Sequence, residues 1–196
     1  MNVLAEASDL PISVDMENGF GAAPEHAARA VEAVAAVGAV GGSIEDWGPA
    51  DGIYEIGAAT ERIAAAAAAA AGLPFPFTLT ARAENHIRGN PDLDDTIARL
   101  QAYEAAGADV LYAPGLASVA EIEAVVGSVG LPVNVLARPD LTVAEIAGAG
   151  ARRISVGGSL AWATVEAMAA VATRMRDDGD LSGLRGGGQV AGWLDR

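Results

Sequence analysis

The sequence predicts an α/β fold of the (β/α)8 barrel type, and three observations carry that prediction. Short strand-like segments alternate with helix-like stretches from end to end. Several of the helical stretches stop at a glycine followed closely by a strand, as C-terminal caps do. Polar or charged residues recur at the ends of successive strands: Asp15 and Glu17, Glu45 and Asp46, Arg82, Tyr112, Asn134, then Ser155. Barrels place their functional groups there, and packing alone explains such a series poorly.

The elements follow in order. "MNVLAEASDL" reads as the last turns of a helix feeding "PISVDME", where apolar and polar residues alternate as in a strand. The amphipathic stretch "PEHAARAVEAVAAVG" leads to the strand "GGSIED". The alanine-rich "IGAATERIAAAAAAAAG" is a strong helix former, too short and too weakly hydrophobic to span a bilayer, and leads to "PFTLTAR". "LDDTIARLQAYEAAG" precedes "DVLYAPG", "SVAEIEAVVGSVG" precedes "PVNVL", and "TVAEIAGAG" precedes "RRISVG". A last helix, "SLAWATVEAMAAVATRMRDDG", follows. A doubly wound nucleotide fold would carry a glycine-rich phosphate turn after its first strand. "NGFGAAP" is not such a turn, and the acids before it would repel a pyrophosphate. Six strands are legible where a closed barrel has eight, so two βα units are expected upstream of the first residue. Residues 1–178 read as one catalytic β/α domain and 179–196 as a Gly-rich tail.

Composition narrows the chemistry. A net charge of -14 argues against partners with a phosphate backbone or an anionic membrane surface. No signal or membrane-spanning segment is legible, so a cytoplasmic location is expected. There is no cysteine, which excludes disulfides, thiolate zinc sites and thiol nucleophiles. Every one of the 12 basic residues is arginine, which excludes Schiff-base lysines and a P-loop lysine. Carboxylates, arginine and an oxygen-ligated cation are left to act.

On a strand, Asp15 and Glu17 would leave the same face, which is the interior at a barrel's mouth. Two unpaired acids there are costly without a cation, and Glu45 at the next strand end would sit beside them. Three carboxylates suit a hard ion, Mg2+ first and Mn2+ as its substitute. The plainer alternative is that one acid caps the following helix and the others are solvated. Arg82 would grip a substrate carboxylate or phosphonate, or pair with Glu45 or Glu84, or do both. Asn134 either donates to substrate or satisfies a neighbouring strand. His86 lies on the loop after Arg82, a common surface position for histidine.

"VDMENGFG", "GGSIED", "LTARAEN", "DDTIARLQAYEAAGADVLYAPG", "PVNVL" and "RRISVGGSLAW", in this order, resemble the isocitrate lyase/phosphoenolpyruvate mutase superfamily, its phosphonomutase-like members in particular. The resemblance implies a barrel, often oligomeric, that makes or breaks a C–C or P–C bond in a small α-oxo acid or phosphonate through a metal-stabilised enolate. It implies Asp15, Glu17 (where aspartate is usual) and Glu45 at the metal, with Glu45 and Arg82 catalytic. Arg82, Asn134, Gly21 and His86 are the implied substrate contacts, and a homo-oligomer is the implied assembly. The loop "WGPADGIYEIG" has neither the cysteine of the family's lyases nor the lysine or asparagine of its mutases and hydrolases. The rival expectation is a catalytically degenerate barrel acting as a small-anion binder or partner subunit.

Overall fold

The computed structural model describes residues 2–184 and 187–194. The chain divides into two compact units, Met1–Ser155 and Val156–Arg196. In the first, six parallel strands form one curled sheet: β1 (Ser13–Asp15), β2 (Gly41–Glu45), β5 (Thr78–Arg82), β6 (Val110–Tyr112), β7 (Val133–Leu136) and β8 (Arg153–Ser155). Their spatial order is their chain order, with no reversal. A doubly wound sheet must reverse at a switch point, so the barrel reading holds. The interruption in numbering is a two-stranded antiparallel hairpin, β3 (Trp47–Gly48) with β4 (Gly52–Ile53), inserted after β2.

The helices are α1 (Asn2–Ala7), α2 (Pro24–Ala35), α3 (Ile56–Ala71), α4 (Leu93–Ala105), α5 (Val119–Ser128) and α6 (Val143–Gly148). Their starts are chemically marked. Asp92 accepts from the backbone N–H groups of Asp94 and Asp95 at the start of α4, and Ser118 accepts from that of Glu121 in α5. Thr142 and Glu145 close a capping box on α6. Glycines 38, 107 and 150, after α2, α4 and α6, take the positive φ that ends a helix.

The alanines of α3 serve packing. Ala59, Ile63 and Ala66 are buried, as are Ala27, Ala30 and Val31 of α2 against which this helix lies. Small side chains let the two backbones approach closely, and the sheet's Ile44, Leu79, Ala81, Leu111, Val133 and Val135 complete the core.

The second unit holds α7 (Ser159–Asp178) and α8 (Gly188–Leu194). None of the residues described in α7 is buried, and Leu160, Trp162 and Met168 are largely exposed. Among the described residues no helix is long and apolar enough to cross a membrane.

Candidate active site

The carboxyl ends of β1, β2 and β5 converge on a cavity of about 430 Å3 lined by Asp15, Glu17, Asn18, Glu45, Trp47, Pro49, Arg82 and Arg88. Register places these groups. Asp15 pairs with Ser43, and Glu45 pairs with Arg82, so acid, acid and arginine stand on adjacent strands.

The strand that carries Asp15 ends there, and Glu17 is not a strand residue. Met16 turns into the core, fully buried, and Glu17 adopts a left-handed backbone with φ 49°. The expected shared strand face is therefore absent. Glu17 reaches the same cavity by way of a turn, whose first bond is the Glu17 N–H donating to Asp15 Oδ1 at 3.1 Å. The Glu17 carbonyl accepts from the Glu45 N–H at 2.8 Å, tying the turn to β2.

The turn is also held from behind. Arg62, on the alanine-rich α3 and 1% exposed, donates to the carbonyl oxygens of Asn18, Gly21, Ala22 and Ala23. Asn18 donates to the Tyr54 hydroxyl at 2.9 Å. Gly19 is required here: at φ 72°, a Cβ would meet the backbone of Ala27 at 2.8 Å.

Arg82 lies among carboxylates. Its guanidinium meets Asp15 at 2.6 Å, Glu84 at 2.7 Å and Glu45 at 3.1 Å, and it stacks over Tyr112. Burial lowers the affinity of Arg82 for its proton, but Glu84, Asp15 and Glu45 outweigh that and hold the charge firmly. Both ion pairs considered from sequence, with Glu45 and with Glu84, are present. Arg88 stands on the other side, 3.1 Å from Glu84 and 3.7 Å from Glu45, with its guanidinium over the Trp47 ring.

Burial pushes the Glu45 carboxyl up to about 7, with Glu84 and Asp15 adding to the rise and Arg82 and Arg88 opposing it. Around this cluster Asp15, Glu17, Glu45 and Glu84 supply four carboxylates against two guanidiniums, so negative charge is in excess. Asp46, next to Glu45, is absorbed elsewhere. It accepts from the Glu84 N–H at 2.8 Å, from Arg99 at 3.0 Å and from the Tyr103 hydroxyl at 2.5 Å.

Three of the expected substrate contacts do not line this cavity. The Gly21 carbonyl is taken by Arg62, and the space where its Cβ would stand is filled by the His26 ring. His86 faces Thr96 of α4 at 3.0 Å. Asn134 is buried, donates to Ser155 at 3.0 Å and pairs in register with Tyr112, over whose ring Arg82 stands. Sequence reasoning passed over Arg88, Trp47 and Arg62. The signal available for Arg88 was a second arginine six residues after Arg82, one helical turn beyond Glu84.

The acids are not drawn to one point: among the described residues no group of three or more His, Asp or Glu side chains stands ready to hold a metal ion. The donor set nevertheless suits a hard cation. Every candidate ligand is a carboxylate oxygen, and the Glu17 carboxylate, on the cavity wall and exposed, has neither hydrogen bond nor ion pair among the described residues.

Residues 1–176 match the family model described as phosphoenolpyruvate phosphomutase. The crystal structure of a candidate lyase/mutase from Burkholderia cenocepacia J2315 is 49% identical and superposes with a TM-score of 0.93, covering 100% of this chain and 73% of that one. Phosphonopyruvate hydrolase, solved with oxalate and Mg2+, is 29% identical at a TM-score of 0.78, covering 93% of this chain and 66% of that one. An oxaloacetate decarboxylase from Bradyrhizobium diazoefficiens is 32% identical over 147 residues, which are 71% of this chain and 49% of that protein. The chain thus spans about half the length of that curated relative.

Proposed function

We propose, for a chain that belongs to the phosphoenolpyruvate phosphomutase family, a Mg2+-dependent enzyme that breaks or forms a C–C or P–C bond in a small α-oxo acid or phosphonate. The observation that carries this reading is the excess of carboxylate, three acids on the cavity wall and the buried Glu84 behind them against two guanidiniums, with Glu45 pushed up to about 7. A divalent cation removes that excess. The family's solved member with oxalate and Mg2+ fits the same assignment.

Asp15, Glu17 and Glu45 would hold the cation, with Mn2+ able to replace Mg2+. When bound, the ion supplies Lewis-acid polarisation of a 2-oxo group. The chain's own residues do the rest. Arg82 fixes Asp15 and Glu45 in position through its ion pairs and screens their mutual repulsion. Without the cation the buried Glu45 carboxyl is pushed up to about 7, so a proton and the cation would compete for it. Trp47 and Pro49 wall the cavity on the side of the hairpin and limit water there.

The test is a Mg2+ titration by calorimetry with an activity screen over oxaloacetate, phosphonopyruvate and 2-methylisocitrate. Wild type is expected to bind Mg2+, and Glu17→Ala to weaken it by about tenfold or more. A folded wild type that ignores Mg2+, or equal titrations for both proteins, defeats the reading.

The exposed Leu160, Trp162 and Met168 of α7 support a homo-oligomer, since large apolar side chains in such a group mark association surfaces. Sedimentation is expected to show more than one copy per particle, and Trp162→Glu to shift the distribution toward the monomer. A wild type that sediments as a monomer throughout refutes it.

A further inference from the structure

We propose that Arg88, steadied by Trp47, takes the second anionic group of the substrate, the one remote from the cation. This rests on the reading of the cavity as the substrate site. The reason lies in the separate employment of the two guanidiniums.

Arg82 is saturated. Its Nε donates to Glu84, its Nη1 to Asp15, and its Nη2 meets both Glu84 and Glu45. Its side chain is only 12% exposed. Most of its donors are thereby committed to carboxylates of the site. Arg88 is differently placed. Its Nε and Nη2 lean on one oxygen of Glu84, Nη2 also stands 3.7 Å from Glu45, and among the described residues its Nη1 makes no hydrogen bond. The side chain is 33% exposed and lies on the cavity wall. A planar guanidinium with an unused edge is the group that grips a carboxylate or phosphonate through paired N–H donors.

Trp47 gives the arrangement its rigidity. The Arg88 guanidinium carbon stands 3.6 Å from the Trp47 ring centre, so one face of the cation is covered while its donor edge stays open. Trp47 opens the hairpin that follows Glu45, and the hairpin is anchored at its far end by the Tyr54 hydroxyl, which accepts from Asn18 and donates to Asp51. The stack therefore couples the side chain that meets the distal anion to the segment that walls the site. The choice among anionic groups on the third carbon of a 2-oxo acid falls to this pair.

The experiment compares two probes in the presence of Mg2+, by calorimetry on the whole chain. Oxalate has no group remote from the cation; 3,3-difluorooxaloacetate carries a distal carboxylate. Arg88→Gln is expected to weaken the second probe by about thirtyfold, the loss of one charge-assisted pair, and oxalate by no more than about threefold. Trp47→Leu is expected to weaken the second probe severalfold and oxalate hardly at all. It also keeps the test open should Arg88→Gln fold poorly. Equal weakening of both probes would mean that Arg88 acts only through its general charge, and unchanged binding of both would mean that it touches neither. Either outcome overturns the assignment while leaving the site intact. A wild type that binds neither probe with Mg2+ overturns the reading of the cavity itself, and this assignment with it.

Discussion

Arg82→Ala is expected to destabilise the fold by about 3–5 kcal/mol at pH 8, the usual cost of leaving a buried carboxylate without its partner. Among the described residues, the fully buried Glu84 would keep only Arg88, and Glu45, also buried, would keep only Arg88 at 3.7 Å. The pH dependence has a definite sign. Glu45 holds its proton more tightly in the fold than in the unfolded chain, about 7 against 4.5, because burial and Glu84 disfavour its charge. That contribution is fully present below pH 4.5 and is lost as pH rises through 7. Removing Arg82 takes away the stronger of the two cations opposing the shift, so the variant should lose more stability than wild type between pH 5.5 and pH 8. Urea unfolding at both pH values reads the difference directly. Arg82→Ala combined with Glu84→Gln should recover part of the loss. A variant as stable as wild type at pH 8 would show the cluster to be solvated rather than buried.

The fold was largely legible because its signals are local. Period-two runs and helix-ending glycines each act over a few residues, and each expected strand and helix is present. The hairpin at Trp47–Ile53 escaped because strands of two residues leave no periodicity to read. The site was legible only in part, and the reason is again range. Asp15, Glu45 and Arg82 stand at strand ends, where barrel architecture alone gives their place. Glu17 was expected on a strand, but Met16 is the residue that enters the core, and the chain turns before the alternation can continue. Arg88 and Arg62 find their partners through the tertiary structure. Arg62 answers to backbone carbonyls some 40 residues away, which no side-chain pattern announces.

Arg62 is the case in which fold and site cannot be separated. Replacing it by Met keeps the bulk and apolar stem but strips the donors from the carbonyls of Asn18, Gly21, Ala22 and Ala23. Asn18 is buried, so its freed carbonyl has little water to turn to, whereas Gly21, Ala22 and Ala23 are half-buried or exposed, and the expected loss is about 2–3 kcal/mol. The same turn carries two non-glycine residues in the left-handed region, Glu17 at φ 49° and Phe20 at φ 62°. Such backbone persists only where its surroundings impose it. Arg62 imposes it from the helix side, and the Glu17–Glu45 backbone bond does so from the sheet side. Without Arg62 the turn can relax toward ordinary φ values, and the Glu17 carboxylate leaves its place on the cavity wall. Arg62→Met should therefore lose Mg2+ affinity at temperatures well below its unfolding transition, whereas a substitution of equal stability cost in the core, such as Leu100→Ala, should not. Arg62→Lys should fall between, because a single ammonium cannot reach donors to four carbonyls at once. Mg2+ titrations on the three variants, at matched distance below each midpoint, separate the two effects. Equal Mg2+ affinity in Arg62→Met and Leu100→Ala would show that the turn keeps its shape without the clamp.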